Sequence, residues 1–372
     1  MKTEFNPGAF AGPALAQGVL ESTRKALVRL TAKRGGARPT IMEVCGTHTA
    51  AISKMGLRSL LGGNLRLLSG PGCPVCVTDQ TDVEAALALA RTPGVTLATF
   101  GDMLRIPGNR RNLLEERARG GDVRLIHSPL ESVVLAARNP RREVVLLGVG
   151  FETTAPAVSR ALEEAVALGL DNFSIFSAHK LTPPAVRAIV EGREAEIDGF
   201  ICPGHVSTVI GRKGWSFLGD EFGLPAVVAG FEPVDILLGI DTLVRMLDDG
   251  AHSVANLYTR AVREDGNPTA LALTSRFFEP VDTRWRGLGL LPKSGLRLRS
   301  EFRAFEARNR FELRPETPRQ DGGCRCGDVL KGRIIPTECG LWGRGCLPEA
   351  PAGPCMVSSE GACAAYFQYR DW

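Results

Sequence analysis

Six of the chain's ten cysteines fall within forty residues: Cys324, Cys326, Cys339, Cys346, Cys355 and Cys363. The stretch that holds them, CRCGDVLKGRIIPTECGLWGRGCLPEAPAGPCMVSSEGAC, is rich in Gly and Pro and has no long apolar run. Such a segment cannot bury enough apolar surface to offset its own ordering entropy. It has to be stapled by a metal, by disulfides or by both. Thiolates are soft ligands, which points to zinc or iron–sulfur clusters. The spacing, C-x-C-x12-C-x6-C-x8-C-x7-C, contains none of the paired C-x2-C knuckles of structural zinc sites. Six thiols also exceed the four that one zinc or one [4Fe–4S] cluster needs, which leaves two for a disulfide or a redox pair. Iron–sulfur is the expectation, with zinc and a purely disulfide-stapled tail as alternatives.

The rest of the chain has the makings of ordinary globular domains. Its 372 residues suggest two or three of them, and 44% hydrophobic content supports their cores. A net charge of +4 is mild, and the one basic run, Arg284 to Arg314, reads as a solvated face, not a nucleic-acid patch. No signal-peptide core and no apolar run of membrane-spanning length are visible. A cytoplasmic protein is expected, without nucleic-acid or membrane partners. In that compartment grouped cysteines mean metal or redox chemistry more often than structural disulfides.

In chain order, a helix is expected over Leu15 to Lys33, apolar at Leu20, Leu27, Val28 and Leu30. Strand Thr40 to Val44 runs into Cys45-Gly-Thr-His48, and Ala50 to Leu61 reads as a helix. Leu65 to Leu68 runs into Ser69-Gly-Pro-Gly-Cys-Pro-Val-Cys76, with Thr78 or Asp79 capping a helix that reaches Arg91. Further strands are expected at Val95–Phe100, Val123–His127, Val144–Gly148, Phe173–Phe176, Gly199–Ile201 and Ala226–Val228, with helices between them. This alternation predicts two parallel-sheet, Rossmann-like β/α domains: residues 1–130 with the N-terminal helix, and residues 131–240. Residues 241–372 are expected to be a helical bridge followed by a helical or irregular iron–sulfur domain. Phe277, Phe278, Trp285, Phe302, Phe305 and Phe311 are expected to form the core of the bridge. Gly-Phe-Glu occurs twice, at 150–152 and 230–232, a hint of similar turns.

Ligands of parallel β/α domains sit beyond the carboxyl ends of the strands. Four of the five histidines and four of the ten cysteines fall there or at a strand's last residue. Cys73-Pro-Val-Cys76 is either a redox dithiol or half of a zinc site, and no second pair matches it. Cys45 and His48 stand at a strand end and a helix start, where a thiolate gains from exposed N–H groups. Cys45 is a candidate nucleophile or open-site metal ligand, with His48 as its proton partner or a second ligand. A buried cysteine and a capping histidine fit the same pattern. His205 and His179 are each more often structural, and Glu152 is a candidate proton acceptor. No GxxxxGK[ST] loop occurs and Gly148-Val-Gly150 lacks the third glycine of a dinucleotide fingerprint.

Taken together, Glu43-Val-Cys-Gly-Thr-His48, Gly70-Pro-Gly-Cys-Pro-Val-Cys76, Gly150-Phe-Glu-Thr-Thr-Ala-Pro156, Pro203-Gly-His-Val-Ser207, Cys355-Met-Val-Ser358 and Glu360-Gly361 resemble the HypD family of [NiFe]-hydrogenase maturation factors. The resemblance covers nearly the whole chain from about residue 40. It implies two α/β domains with a C-terminal [4Fe–4S] domain, and assembly of an iron centre that carries two cyanides and one carbon monoxide. It also implies work with the small chaperone HypC and cyanide from HypE, itself supplied by HypF. On that resemblance Cys45 is the iron ligand, Cys73 and Cys76 a thiol pair near the iron, and Cys324, Cys339, Cys346 and Cys363 the cluster ligands. Cys326 and Cys355 are left to pair with each other. The expected role is an assembly scaffold with thiol and iron–sulfur redox chemistry more than a turnover enzyme. An iron–sulfur disulfide reductase acting on a protein client, or a zinc-stapled interaction module, is the alternative.

Overall fold

The computed structural model describes residues 13–61, 63–313, 316–317 and 322–369. Among them, nine strands form two parallel sheets. The first is ordered β2-β1-β7-β8-β9, from β1 (Thr40–Glu43), β2 (Arg66–Ser69), β7 (Gly199–Pro203), β8 (Ala226–Ala229) and β9 (Val254–Asn256). The second is ordered β4-β3-β5-β6, from β3 (Val95–Thr99), β4 (Asp122–Leu125), β5 (Glu143–Gly148) and β6 (Phe173–Ser177). Strands β1, β3, β6, β7 and β8 are buried along their whole length. Helices cover both faces of such sheets, so these strands read as near-continuous apolar runs instead of alternating ones.

The mixed α/β class with parallel sheets is as expected, but the sheets do not follow the halves of the chain. A cut at residue 130 falls between β4 and β5, which belong to one sheet through β3. Strand β1 pairs with β7 in the register Ile41↔Gly199, so the first sheet is built from both ends of the expected pair of domains. Strand periodicity marks each strand, whereas pairing depends on which apolar faces meet in three dimensions.

Local signals set most helix limits. Asp79 caps Gln80–Arg91 by accepting the Thr81 N–H at 3.0 Å. Asn112 with Glu115 and Ser128 with Glu131 form capping boxes. The helix expected from Ala50 begins earlier, as Gly46–Lys54, and a second, Leu57–Leu61, follows Gly56, whose φ is +63°. In the N-terminal helix Pro13–Lys33, Leu20, Leu27 and Leu30 are buried but Val28 is 55% exposed, so it is not core.

The expected helical bridge is in large part a β-hairpin. After helix Pro268–Phe277, β10 (Phe278–Trp285) and β11 (Gly289–Leu298) pair antiparallel. Phe277, Phe278 and Trp285 are buried, and Phe302, Phe305 and Phe311 pack against the core, as expected of them. The basic run is not one solvated face. The Arg308 guanidinium lies 3.8 Å over the Phe176 ring and 3.0 Å from Asp82, and Arg310 donates to the Phe173 carbonyl at 2.9 Å. Arg286 is buried, and Arg314 lies outside the described residues. No helix among the described residues is long and apolar enough to cross a membrane.

Candidate functional site

In the first sheet the chain leaves β1 toward β2 and leaves β7 toward β8, in opposite directions. In the second it leaves β3 toward β4 and β5 toward β6. A crevice forms at the carboxyl ends of strands where the order reverses in this way. A cavity of about 430 Å³ lies there, lined by Cys45 after β1, Gly72 after β2, Phe151 and Thr153 after β5, and His205 after β7. Glu360, from the cysteine-rich tail, completes the lining.

Cys45 is the N-cap of Gly46–Lys54, with extended backbone at φ −148°. Its N–H donates to the Glu43 carboxylate at 3.0 Å; the nearby backbone N–H groups of His48 and Thr47 favour its thiolate, though its side chain makes no capping hydrogen bond. Gly46 N–H donates to the Gly72 carbonyl at 2.9 Å, and a β-carbon on Gly72 would collide with the Cys45 backbone. Burial pushes the thiol up to about 12, and the Glu43 and Glu360 carboxylates act in the same direction. A metal that takes this sulfur must therefore release its proton. Glu360 also accepts the Thr47 hydroxyl at 2.7 Å. Residue-by-residue reading singled out neither Glu360 nor Thr153. Glu360 lies between Cys355 and Cys363, and Thr153 follows Glu152, so proximity to marked residues was the available signal.

The histidines divide. His205 is exposed, lines the cavity and stacks on Phe231 at 4.0 Å. His48 is fully buried, and its Nε2–H donates to the Gly230 carbonyl at 2.8 Å while the ring packs on Phe231 from 4.9 Å. It is the backbone of His48, not its ring, that meets Cys45; burial holds the imidazole neutral, with its pKa lowered to about 4. His179 is also buried, bonded to Ser177 Oγ at 3.1 Å, and does not line the cavity. Glu152 turns away from it too. Its two oxygens accept the N–H and hydroxyl of Thr182, each at 2.7 Å, at the start of helix Thr182–Gly192. The two Gly-Phe-Glu turns are accordingly unlike: Gly150 has φ +155° and Gly230 does not share a positive φ, and Glu232 caps its own helix.

Cys73 and Cys76 form a disulfide with a Cα–Cα distance of 5.3 Å, bracketing the start of helix Pro74–Val77. Both are buried, yet Gly72 and Pro74 on either side of Cys73 line the Cys45 cavity. On its far side Cys76 Sγ lies 4.0 Å from the carbonyl of Pro354, the residue before Cys355.

All six tail cysteines line a second, smaller cavity. Cys326 and Cys355 are free thiols that line this cavity together and interact electrostatically with each other, and Cys326 also with Cys324. Cys346 Sγ accepts the Ala352 N–H at 3.3 Å, and a β-carbon on Gly353 would press on Cys324 Sγ. Six soft donors around one space, with an N–H aimed at a sulfur, suit an iron–sulfur cluster. Among the described residues no three His, Cys, Asp or Glu side chains are grouped as the ligands of a single ion would be.

Comparison with known proteins agrees along the chain. The family model HypD, described as the hydrogenase formation hypA family, matches residues 20–370. The chain is 46% identical over 373 residues to the hydrogenase maturation factor HypD of Azotobacter vinelandii, covering 98% of this chain and 96% of that protein. It is 47% identical over 336 residues to that of Rhizobium leguminosarum bv. viciae, covering 88% and 87%. With that of Escherichia coli K12 the identity is 44% over 331 residues, covering 89% of each.

Proposed function

The chain belongs to the HypD family of hydrogenase maturation factors, and from that premise we propose that it is the scaffold on which the iron centre of a [NiFe]-hydrogenase receives two cyanides and one carbon monoxide. The iron unit is cargo, held at Cys45. The observation that carries this reading is that Cys45 is the one thiol among the residues lining the switch-point cavity. A single protein thiolate on a soft, low-spin iron leaves positions for the diatomic ligands and for a thiolate from a partner. The partner in this reading is a small HypC chaperone, with cyanide from HypE, supplied by HypF, in the cytoplasm. His205 stands at the cavity as a proton or hydrogen-bond donor, and His48 supports Cys45 through its backbone N–H and its anchor on Gly230.

In the tail, Cys324, Cys339, Cys346 and Cys363 would hold a [4Fe–4S] cluster, which when bound supplies electrons one at a time. Cys73–Cys76 is the thiol pair beside the cargo site, and opening its disulfide takes two electrons and two protons. The contact of Cys76 with Pro354 brings that pair against the Cys326–Cys355 end of the tail.

Infrared spectra of protein purified anaerobically together with HypC provide the test. Wild type should show bands of iron-bound cyanide and carbon monoxide, and Cys45→Ala should fold, keep its tail chromophore and lack them. If Cys45→Ala kept the bands, the iron would sit elsewhere, with Cys73 and Cys76 the next donors.

A further inference from the structure

Four threonine hydroxyls stand around the Cys45 cavity, and three have committed their protons. Thr47 donates to Glu360 at 2.7 Å, Thr154 to the Phe151 carbonyl at 3.1 Å and Thr208 to the His205 carbonyl at 2.6 Å. Thr153 is partly exposed, and its hydroxyl has no hydrogen-bond partner among the described residues. Its position is set from both sides. Phe151 is buried and stacks on Trp285 at 6.0 Å, Glu152 is tied to Thr182, and Thr154 starts helix Ala155–Ala167 while packed against Gly150. The turn thus presents one free donor from the second sheet to a cavity whose thiol comes from the first.

Cyanide bound to iron through carbon keeps a charge-bearing lone pair on nitrogen, a strong hydrogen-bond acceptor. Bound carbon monoxide exposes a weakly basic oxygen. A neutral donor that cannot ionise therefore distinguishes the two ligands without competing for the metal. We infer that Thr153 donates its hydroxyl proton to the nitrogen of an iron-bound cyanide and makes this wall of the cavity the cyanide side. The inference rests on Cys45 holding the iron cargo.

The full chain, loaded in cells and co-purified anaerobically with HypC, is compared as wild type, Thr153→Val and Thr153→Ser. Thr153→Val should shift at least one cyanide stretching band more than the carbon monoxide band. It should also retain roughly tenfold less iron through gel filtration, as loss of a hydrogen bond to a charged acceptor implies. Thr153→Ser should keep wild-type bands. If Thr153→Val loses the bands altogether at an unchanged melting temperature while Thr153→Ser keeps them, the hydroxyl is again required. Loss of the bands in both variants, or unshifted cyanide bands in Thr153→Val, overturns the inference and leaves Cys45 as the iron ligand. Wild-type protein without such bands overturns the reading of the cavity and this inference together.

Discussion

Cys45 and Glu152 are both buried acids, and burial favours the protonated form of each. For Cys45 the consequence is a protonated thiol, and the iron proposed to bind there would have to displace its proton. For Glu152 it is a dependence of stability on pH. Its carboxyl is raised from 4.5 to about 7 by burial, against the hydrogen bonds from Thr182. Between those values the folded state binds the proton and the unfolded state does not, so stability is full below about pH 4.5 and falls as pH rises toward 7. The loss amounts to about 3 kcal/mol at most. Glu152→Gln keeps a carbonyl for the Thr182 N–H and cannot ionise. Its melting temperature should match wild type near pH 4.5 and exceed it at pH 8; parallel profiles for the two proteins would remove the carboxyl as the cause.

Helix Gly46–Lys54, β2 and the last described helix, Ala362–Gln368, meet at Arg58. Its guanidinium donates to Ser53 at 2.7 Å and Ser69 at 2.9 Å, lies 4.0 Å from the buried Glu43 carboxylate and covers the Tyr366 ring at 4.3 Å. Glu43 in turn holds the Cys45 N–H. One side chain therefore links the element that carries Cys363 to the one that presents Cys45. Arg58→Ala removes a cation–π contact and leaves a buried carboxylate with less compensation, a cost of about 3 kcal/mol. Amide exchange should speed up in residues 362–368 and 46–54 together. Faster exchange in only one of the two would mean that Arg58 does not couple them.

Across the whole molecule, the tail is seated on the two-sheet body at several points. Glu360 takes the Thr47 hydroxyl, Arg105 donates to the Val357 carbonyl at 2.8 Å, and Pro354 meets Cys76. The dithiol and the tail are thus neighbours, although Cys76 and Pro354 stand 278 residues apart in the chain. Cys73→Ser and Cys76→Ser should each abolish hydrogenase maturation, because a single thiol cannot close a disulfide. The visible absorbance of the tail should survive, since Ser is nearly isosteric and the Pro354 contact is a weak one. Maturation at wild-type levels in either variant would end the redox role of the pair.

The positions of β1 to β8, the cap at Asp79, and the strand-end placement of Cys45 and His205 were determined by sequence alone, whereas β9 and the capping boxes at Asn112 and Ser128 emerged only with the structure. Short-range patterns carry the former: apolar runs bounded by Gly and Pro, and capping residues at fixed offsets. The motifs from Cys45 to the cysteine tail were likewise enough to suggest the family. Only the tertiary structure decided that β1 pairs with β7, and so that Cys45 and His205 share a crevice. It alone turned Glu152 and the His48 ring away from that crevice and brought Thr153 and Glu360 into it. Side-chain direction at a strand end depends on which helix or sheet packs beside the turn, and that partner is remote in the chain. The bridge read as helical became a hairpin for the same reason: β10 buries Phe278 and Trp285, and β11 buries Leu296 and Leu298, against the second sheet and the Phe151 turn, and that packing overrides local pattern.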